Sequence, residues 1–340
     1  MTVTLGRPDQ VTVAERPIRT VPGVPLTRQT LRTVLGVLWL LDGALQLQSY
    51  MFTRGFARQI IAPTAAGQPL FVSGPVRWNA ELIAHQPVLF DAVFAGIQLA
   101  IGIGLLLPRT WRLALVGSVL WAGGVWYLGE GLGGVAGGHS TALVGAPGAA
   151  VLYIVLALAA WPASNPRPGG QADGSDRRPP HWLVSVWAVL WVGAGLVDLL
   201  PGNHPASAFP AQLSANSSSV PAWLGDVDRW LGSGVHALGG GATALVVGVE
   251  LAIGLASLGR RPIRTVAIGG GIVLAAVYWG AGESFGMLFS GQATDPNTGP
   301  LLMVIGLAAL AAAPGPRHAA RAAVVGPHQR LRAASAIRAW

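Results

Sequence analysis

Six carboxylates fall inside or at the ends of otherwise apolar stretches: Asp42, Asp91, Glu130, Asp198, Glu250 and Glu283. Ionisable groups are expensive in hydrocarbon, so each is a candidate for function. Their neighbours follow a pattern. Asp42 and Gln46 are four residues apart, hence on one helical face, and Asp91 and Gln98 are seven apart, two turns along one face. A shift of 152 residues (Trp39 to Trp191) puts Asp198 at the place of Gln46, Thr243 at that of Asp91 and Glu250 at that of Gln98. Glu130 and Glu283 end their stretches inside Gly-rich turns, GEGLGG and GESFG, and are expected at the outer surface. The candidate polar pocket is therefore Asp42, Gln46, Asp91, Gln98, Glu130, Asp198, Glu250 and Glu283. The chemistry open to such groups is proton exchange: as a relay, or as general acids and bases toward a bound molecule. The competing reading is structural. Polar side chains on facing helices hold bundles together for about 0.6 kcal/mol each, and an acid at a solvated helix end costs little. Gln46, Gln98 and Thr243 fit that reading best.

The other chemistry-bearing residue types narrow the classes. The chain has no Cys, which excludes thiolate metal sites, iron–sulfur clusters, covalent c-type haem and a disulfide relay. Of seven His, His181, His318 and His328 read as solvated loop residues. His85, His139, His204 and His236 fall on the opposite side without the tight spacing of a ligand pair, so no metal is assigned. Among 13 Trp, the set Trp39, Trp121, Trp126, Trp187, Trp191 and Trp279 could line a pocket for a flat ring such as a quinone. An aromatic belt or plain packing is the safer reading of them. GxG strings are not followed by GKS or GKT, so no phosphate loop is present.

The elements that position these residues are apolar blocks. Hydrophobic residues make up 52% of the 340 and charged residues 11%, with mean hydropathy +0.52. Soluble domains carry roughly 25% charged residues. The blocks approach 20 residues, the length of a helix across roughly 30 Å of hydrocarbon. The sequence therefore predicts an all-α integral membrane protein of eight spans: 31–50, 88–107, 111–129, 142–161, 182–200, 235–258, 264–281 and 299–313. Further short amphipathic helices are expected in the two long connections, at the interface, with Trp78, Trp223 and Trp230 at headgroup level.

The segment SNPRPGGQADGSDRRPP reads as a flexible linker between two halves. The halves match each other: Arg77-Trp78 with Arg229-Trp230, Leu99–Gly102 with Leu251–Gly254, and Arg109 and Arg112 with Arg261 and Arg264. After one inserted residue, Gly129-Glu130 matches Gly282-Glu283, and Thr141 and Pro147 then fall on Thr294 and Pro300. The expected organisation is an N-terminal tail (1–29), a first four-helix repeat (30–162), a linker (163–181), a second repeat (182–314) and a basic C-terminal tail (315–340). Four spans per copy make the repeats parallel. All 22 basic residues are Arg, concentrated in the tails, the linker and the second-to-third and sixth-to-seventh connections. The positive-inside rule then puts both termini in the cytoplasm of a bacterial cell membrane. This distribution also favours the bilayer over nucleic acid as the basic chain's partner.

The four-span unit, with LDGALQLQ in its first helix and GEGLGG after its third, resembles the DoxX/DoxD-like membrane proteins over 31–161 and again over 182–313. The whole chain is similar to actinobacterial proteins that duplicate such a unit. The resemblance implies a quinone-linked or accessory role in a membrane redox system, with a membrane or extracytoplasmic oxidoreductase as partner and quinone as ligand. The residues leave two other readings open: a small-solute or proton transporter using the buried acids, and a non-catalytic scaffold or assembly factor.

Overall fold

The computed structural model describes residues 26–138, 140–162, 178–203, 208–214, 217–218 and 220–312. Among these the chain is all-helical, without a strand. The helices are α1 (Arg28–Gln46), α2 (Leu70–His85), α3 (Pro87–Leu106), α4 (Trp111–Leu128), α5 (Ala149–Ala160), α6 (Trp182–Asp198), α7 (Ala208–Ser214), α8 (Ala222–Leu238), α9 (Gly240–Ser257), α10 (Arg261–Ala281) and α11 (Thr298–Ala312). The tails, the linker 163–177 and His139, His204, His318 and His328 lie outside the described residues.

Local chemistry sets the ends. The Thr27 side chain accepts from the Thr30 amide at 3.0 Å and starts α1. Pro87 opens α3, where a missing N–H costs nothing. A break at Gly239, with φ +56°, separates α8 from α9. The expected span 235–258 is thus the end of one helix and the whole of another.

Packing forms two rings. In the first, α1 lies against α3, α3 against α4, α4 against α5, and α5 closes on α1; α6, α9, α10 and α11 repeat the order, and the rings meet along α5 and α11. The tightest contacts need glycine: a Cβ at Gly43 would stand 2.7 Å from Leu99, and one at Gly195 2.9 Å from Leu251. One apolar core runs through both rings, including Leu35, Leu105, Leu152, Leu156, Trp187 and Ile305. A smaller one joins α2 to the residues before it, through Phe56, Ile61, Val72 and Val76.

Among the described residues, three helices are long and apolar enough to cross a membrane: α3, α9 and α10, of 20, 18 and 21 residues. Helices α5, α6 and α11 are apolar but have only 12, 17 and 15 residues. At 1.5 Å per residue, α5 is about 18 Å long and α11 about 22 Å, short of a roughly 30 Å hydrocarbon layer. The span expected at 142–161 is thus shortened at its start, while α11 keeps the bounds expected at 299–313 to within one residue. The reason is local: Gly145 and Gly148 have positive φ around Pro147, and Asn297 has φ +67°, so neither helix starts earlier. The outward faces of the rings remain apolar, with Leu113 and Leu120 on α4, Val189 and Leu196 on α6, and Val266, Val273 and Val277 on α10 all exposed. Both long connections contain helices, α2 in one and α7 and α8 in the other, and Trp78, Trp223 and Trp230 are exposed.

Candidate functional site

A cavity of about 560 Å³ occupies the first ring at its arginine-poor end. Asp42 and Gln46 reach it from α1, Phe94 and Gln98 from α3, Trp121 from α4 and Tyr153 from α5. Phe56, Ile60 and Thr64 cover it from the segment before α2. The segment holds its place through side chains on the turn after α4: Thr64 Oγ1 donates to the Gly129 carbonyl at 2.9 Å, Gln68 Nε2 to Gly131 at 3.0 Å, and Asn79 Nδ2 to Leu128 at 3.2 Å. The last wall comes from the other half of the chain: Gln292, Ala293, Thr294, Asp295 and Asn297, in the loop before α11. Gln48 Nε2 fastens that loop by donating to the Ala293 carbonyl at 3.0 Å.

Glu130 stands at the mouth of this cavity and does not face outward from it. Its carboxylate accepts from the Ala150 amide, Oε1 at 3.0 Å and Oε2 at 3.3 Å, and so caps the start of α5. Gly148, at φ +103°, makes room, because a Cβ there would collide with Glu130 Oε2. Glu283 plays the same part for α11, accepting from the Gly299 amide at 3.1 Å and from the Thr298 hydroxyl. Glu283 is 1% exposed, and Glu130 is partly buried and lines the cavity. Orphan amides at two helix starts draw the carboxylates inward. Burial, with the Asp295 carboxylate nearby, pushes Glu130 up to about 8 against the pull of its amide bonds. Burial pushes Glu283 to about 7, opposed by Thr298 and the Gly299 amide.

After each glutamate the backbone runs left-handed for four residues, Gly131–Gly134 and Ser284–Met287. Three of the second four are not glycine, a costly conformation. Ser284 is held by donating its hydroxyl to Asp228 Oδ2 at 2.8 Å, and Phe285 by ring contacts with Trp279 and Phe289. The indole of Trp126 donates to the Pro147 carbonyl and that of Trp279 to Pro296, both at 2.8 Å. These bonds place Pro147 opposite Pro296, four residues before the Pro300 that the sequence match proposed.

The remaining candidates form two groups. Gln46 Nε2 donates to Asp91 Oδ1 at 2.6 Å, which ties α1 to α3, while Asp91 Oδ2 is buried without a partner. In the second ring Asp198 faces Glu250, whose Oε1 accepts from the Tyr278 hydroxyl at 2.8 Å. Apart from this contact with each other, both oxygens of Asp198 and Oε2 of Glu250 lack hydrogen-bond partners. Thr243 lies one pair away and is also buried. Sequence reading placed these side chains in one pocket. The structure puts Asp42, Gln46, Gln98 and Glu130 on the cavity and leaves Asp198, Glu250 and Glu283 outside its lining. Trp187, Trp191 and Tyr278 are buried in the second ring: Trp187 stands at the place of Leu35, and Gly271 at that of Ser118. In the first ring Ser118 accepts from Trp39 Nε1 at 2.8 Å.

Asp295, Tyr153, Tyr278 and Asp228 were not foreseen. Asp295 is held by the Thr294 hydroxyl and the Asn297 amide, each at 2.7 Å, and burial raises its carboxyl above the usual range. Burial also raises Asp228, against Ser284 and Arg229. Among the described residues no three His, Asp or Glu gather as a metal site. No protein family, curated protein or solved structure matches the chain.

Proposed function

We propose that the chain is a multi-pass cell-membrane protein whose first half binds a small solute from the outer side and exchanges protons with it. In this reading eight helices cross the bilayer as two parallel four-helix repeats, with both termini cytoplasmic. The exposed apolar faces of α4, α6 and α10 support it, since water-soluble surfaces rarely carry such bands. The repeated glutamate caps, left-handed turns and indole–proline bonds support the duplication. The shortness of α5 and α11 is compatible with spanning, because the irregular backbone before each is covered by protein or lines a cavity rather than meeting lipid.

One observation carries the solute reading: Asp42, Glu130 and Asp295 all line the cavity, and no described residue lining it is basic. A scaffold has no use for such a chamber. The test is flux of protons and solute into proteoliposomes, which Glu130→Gln abolishes while leaving the protein folded.

A second reading has its own observation. Trp39, Trp121 and Phe94 give the chamber flat aromatic walls, with the Phe94 and Trp121 rings 5.4 Å apart. Such walls suit a quinone, as the resemblance to DoxX/DoxD-like proteins implies, and make the chain an accessory subunit of a membrane redox system. Mass spectrometry of small molecules retained by the protein in native-lipid particles separates the two. A quinone enriched above bulk membrane supports the redox role; bulk lipid alone, with solute-dependent flux, supports the solute role.

A further inference from the structure

The chamber lacks a counter-charge. Glu130 is answered by helix amides and Asp295 by Thr294 and Asn297, but Asp42 Oδ1 has no hydrogen-bond partner. Gln98 Oε1 is also unpartnered, and the Tyr153 hydroxyl faces Asp42 as a donor. All three residues line the chamber, and their exposures are 2%, 8% and 2%. Buried polar atoms in folded proteins nearly always have partners. The carboxylate and the amide oxygen are acceptors, so what they lack is a donor. Tyr153, Glu130 and Asp295 are the titratable groups that face Asp42. Each is an acid and none is basic, so a cation would be the counter-charge to whichever of them ionises.

A metal ion fits poorly, since the described carboxylates do not converge as a ligand set. They are spread around about 560 Å³, within the range of roughly 300–1,000 Å³ for organic ligands. The indoles of Trp39 and Trp121 offer π-faces, which attract cations.

Resting on the solute reading above, we propose that the first-half chamber binds a small organic ammonium ion, a protonated amine on an aromatic or short aliphatic body, with its N–H groups directed at Asp42. The aromatic walls hold the body, and Asp295 and Glu130 balance the charge. Glu130, pushed up to about 8 by burial and the nearby Asp295 carboxylate, holds a proton in the empty chamber. A bound ammonium ion favours its ionised form, so binding releases a proton to the medium.

The test uses the full chain in lipid nanodiscs, with empty nanodiscs as the control, titrated with benzylammonium, benzyl alcohol and benzoate and followed by tryptophan fluorescence and calorimetry. Benzylammonium should bind saturably, about tenfold tighter than the alcohol, and benzoate not at all. Its affinity should rise with pH toward the Glu130 titration near 8. Asp42→Asn should weaken it about tenfold and Asp295→Asn several-fold, with thermal unfolding unchanged. If Asp42→Asn does not fold, Asp295→Asn and the comparison of the three probes on the unaltered protein decide. Equal binding of alcohol and ammonium, no binding of ammonium, or ammonium binding indifferent to Asp295→Asn overturns the proposal. Loss of the ammonium preference, with a proton-coupled neutral solute still bound, would leave the solute reading standing. Absence of any bound solute would sink both.

Discussion

Asp295, in the loop before α11, faces Asp42 of α1 across the chamber, so one half of the chain supplies a carboxyl group to a cavity built mainly by the other. The two halves are therefore unequal. The first builds most of the cavity, and the second lends a wall to it.

Because the Asp295 charge is part of what holds Glu130 near 8, Asp295→Asn should lower the Glu130 midpoint by on the order of one unit. Carboxyl infrared difference spectra against pH would read this. An unmoved midpoint would mean that burial alone sets it.

Stability should fall as pH rises. Burial pushes Glu130 and Glu283 up to about 8 and about 7 in the folded protein, against an ordinary value of 4.5, so the folded state binds more protons across that window. Unfolding free energy then declines from about pH 4.5 upward and levels off above about 8. Thermal unfolding in detergent should show this slope, and Glu130→Gln combined with Glu283→Gln should flatten it.

The helices were legible as apolar blocks, and Asp42, Glu250 and their companions were legible as charges where hydrocarbon forbids them. Asp295 was not. It sits among Thr294, Pro296 and Asn297, a composition that reads as a solvated turn, and it is enclosed only because the two rings meet. No local pattern encodes that meeting. Tyr153 and Tyr278 were missed because a tyrosine in an apolar helix looks like packing until its hydroxyl is placed. The length of α5 was overestimated because hydropathy counts the Ala, Leu and Val before Gly145 and Gly148 without registering that the backbone there breaks the α-helix.

Gly148→Ala should be damaging beyond its size. The position has φ +103°, and the added methyl meets Glu130 Oε2, so the cap on α5 is lost as well. Left-handed strain and a lost cap together cost about 2–3 kcal/mol. Equilibrium unfolding should show that loss; Gly74→Ala, with open space at its Cβ, is the matched control.

The Trp39–Ser118 bond can be weighed by a double-mutant cycle. Trp39→Phe alone leaves a buried hydroxyl unanswered and should cost about 1–3 kcal/mol. Adding Ser118→Ala should return part of it. Strict additivity would mean that the bond contributes nothing.

Topology can be read on the same chain because it has no Cys. A single Thr294→Cys should react with a membrane-impermeant maleimide in intact cells, and Arg109→Cys only after permeabilisation. The reverse order would invert the orientation.

The account rests on a chamber that exchanges protons, and infrared titration of Glu130 tests this most directly. The account predicts a protonated-carboxyl band that titrates near pH 8 and vanishes in Glu130→Gln. A spectrum with no carboxyl titrating near neutral pH, or one identical in Glu130→Gln, would contradict it.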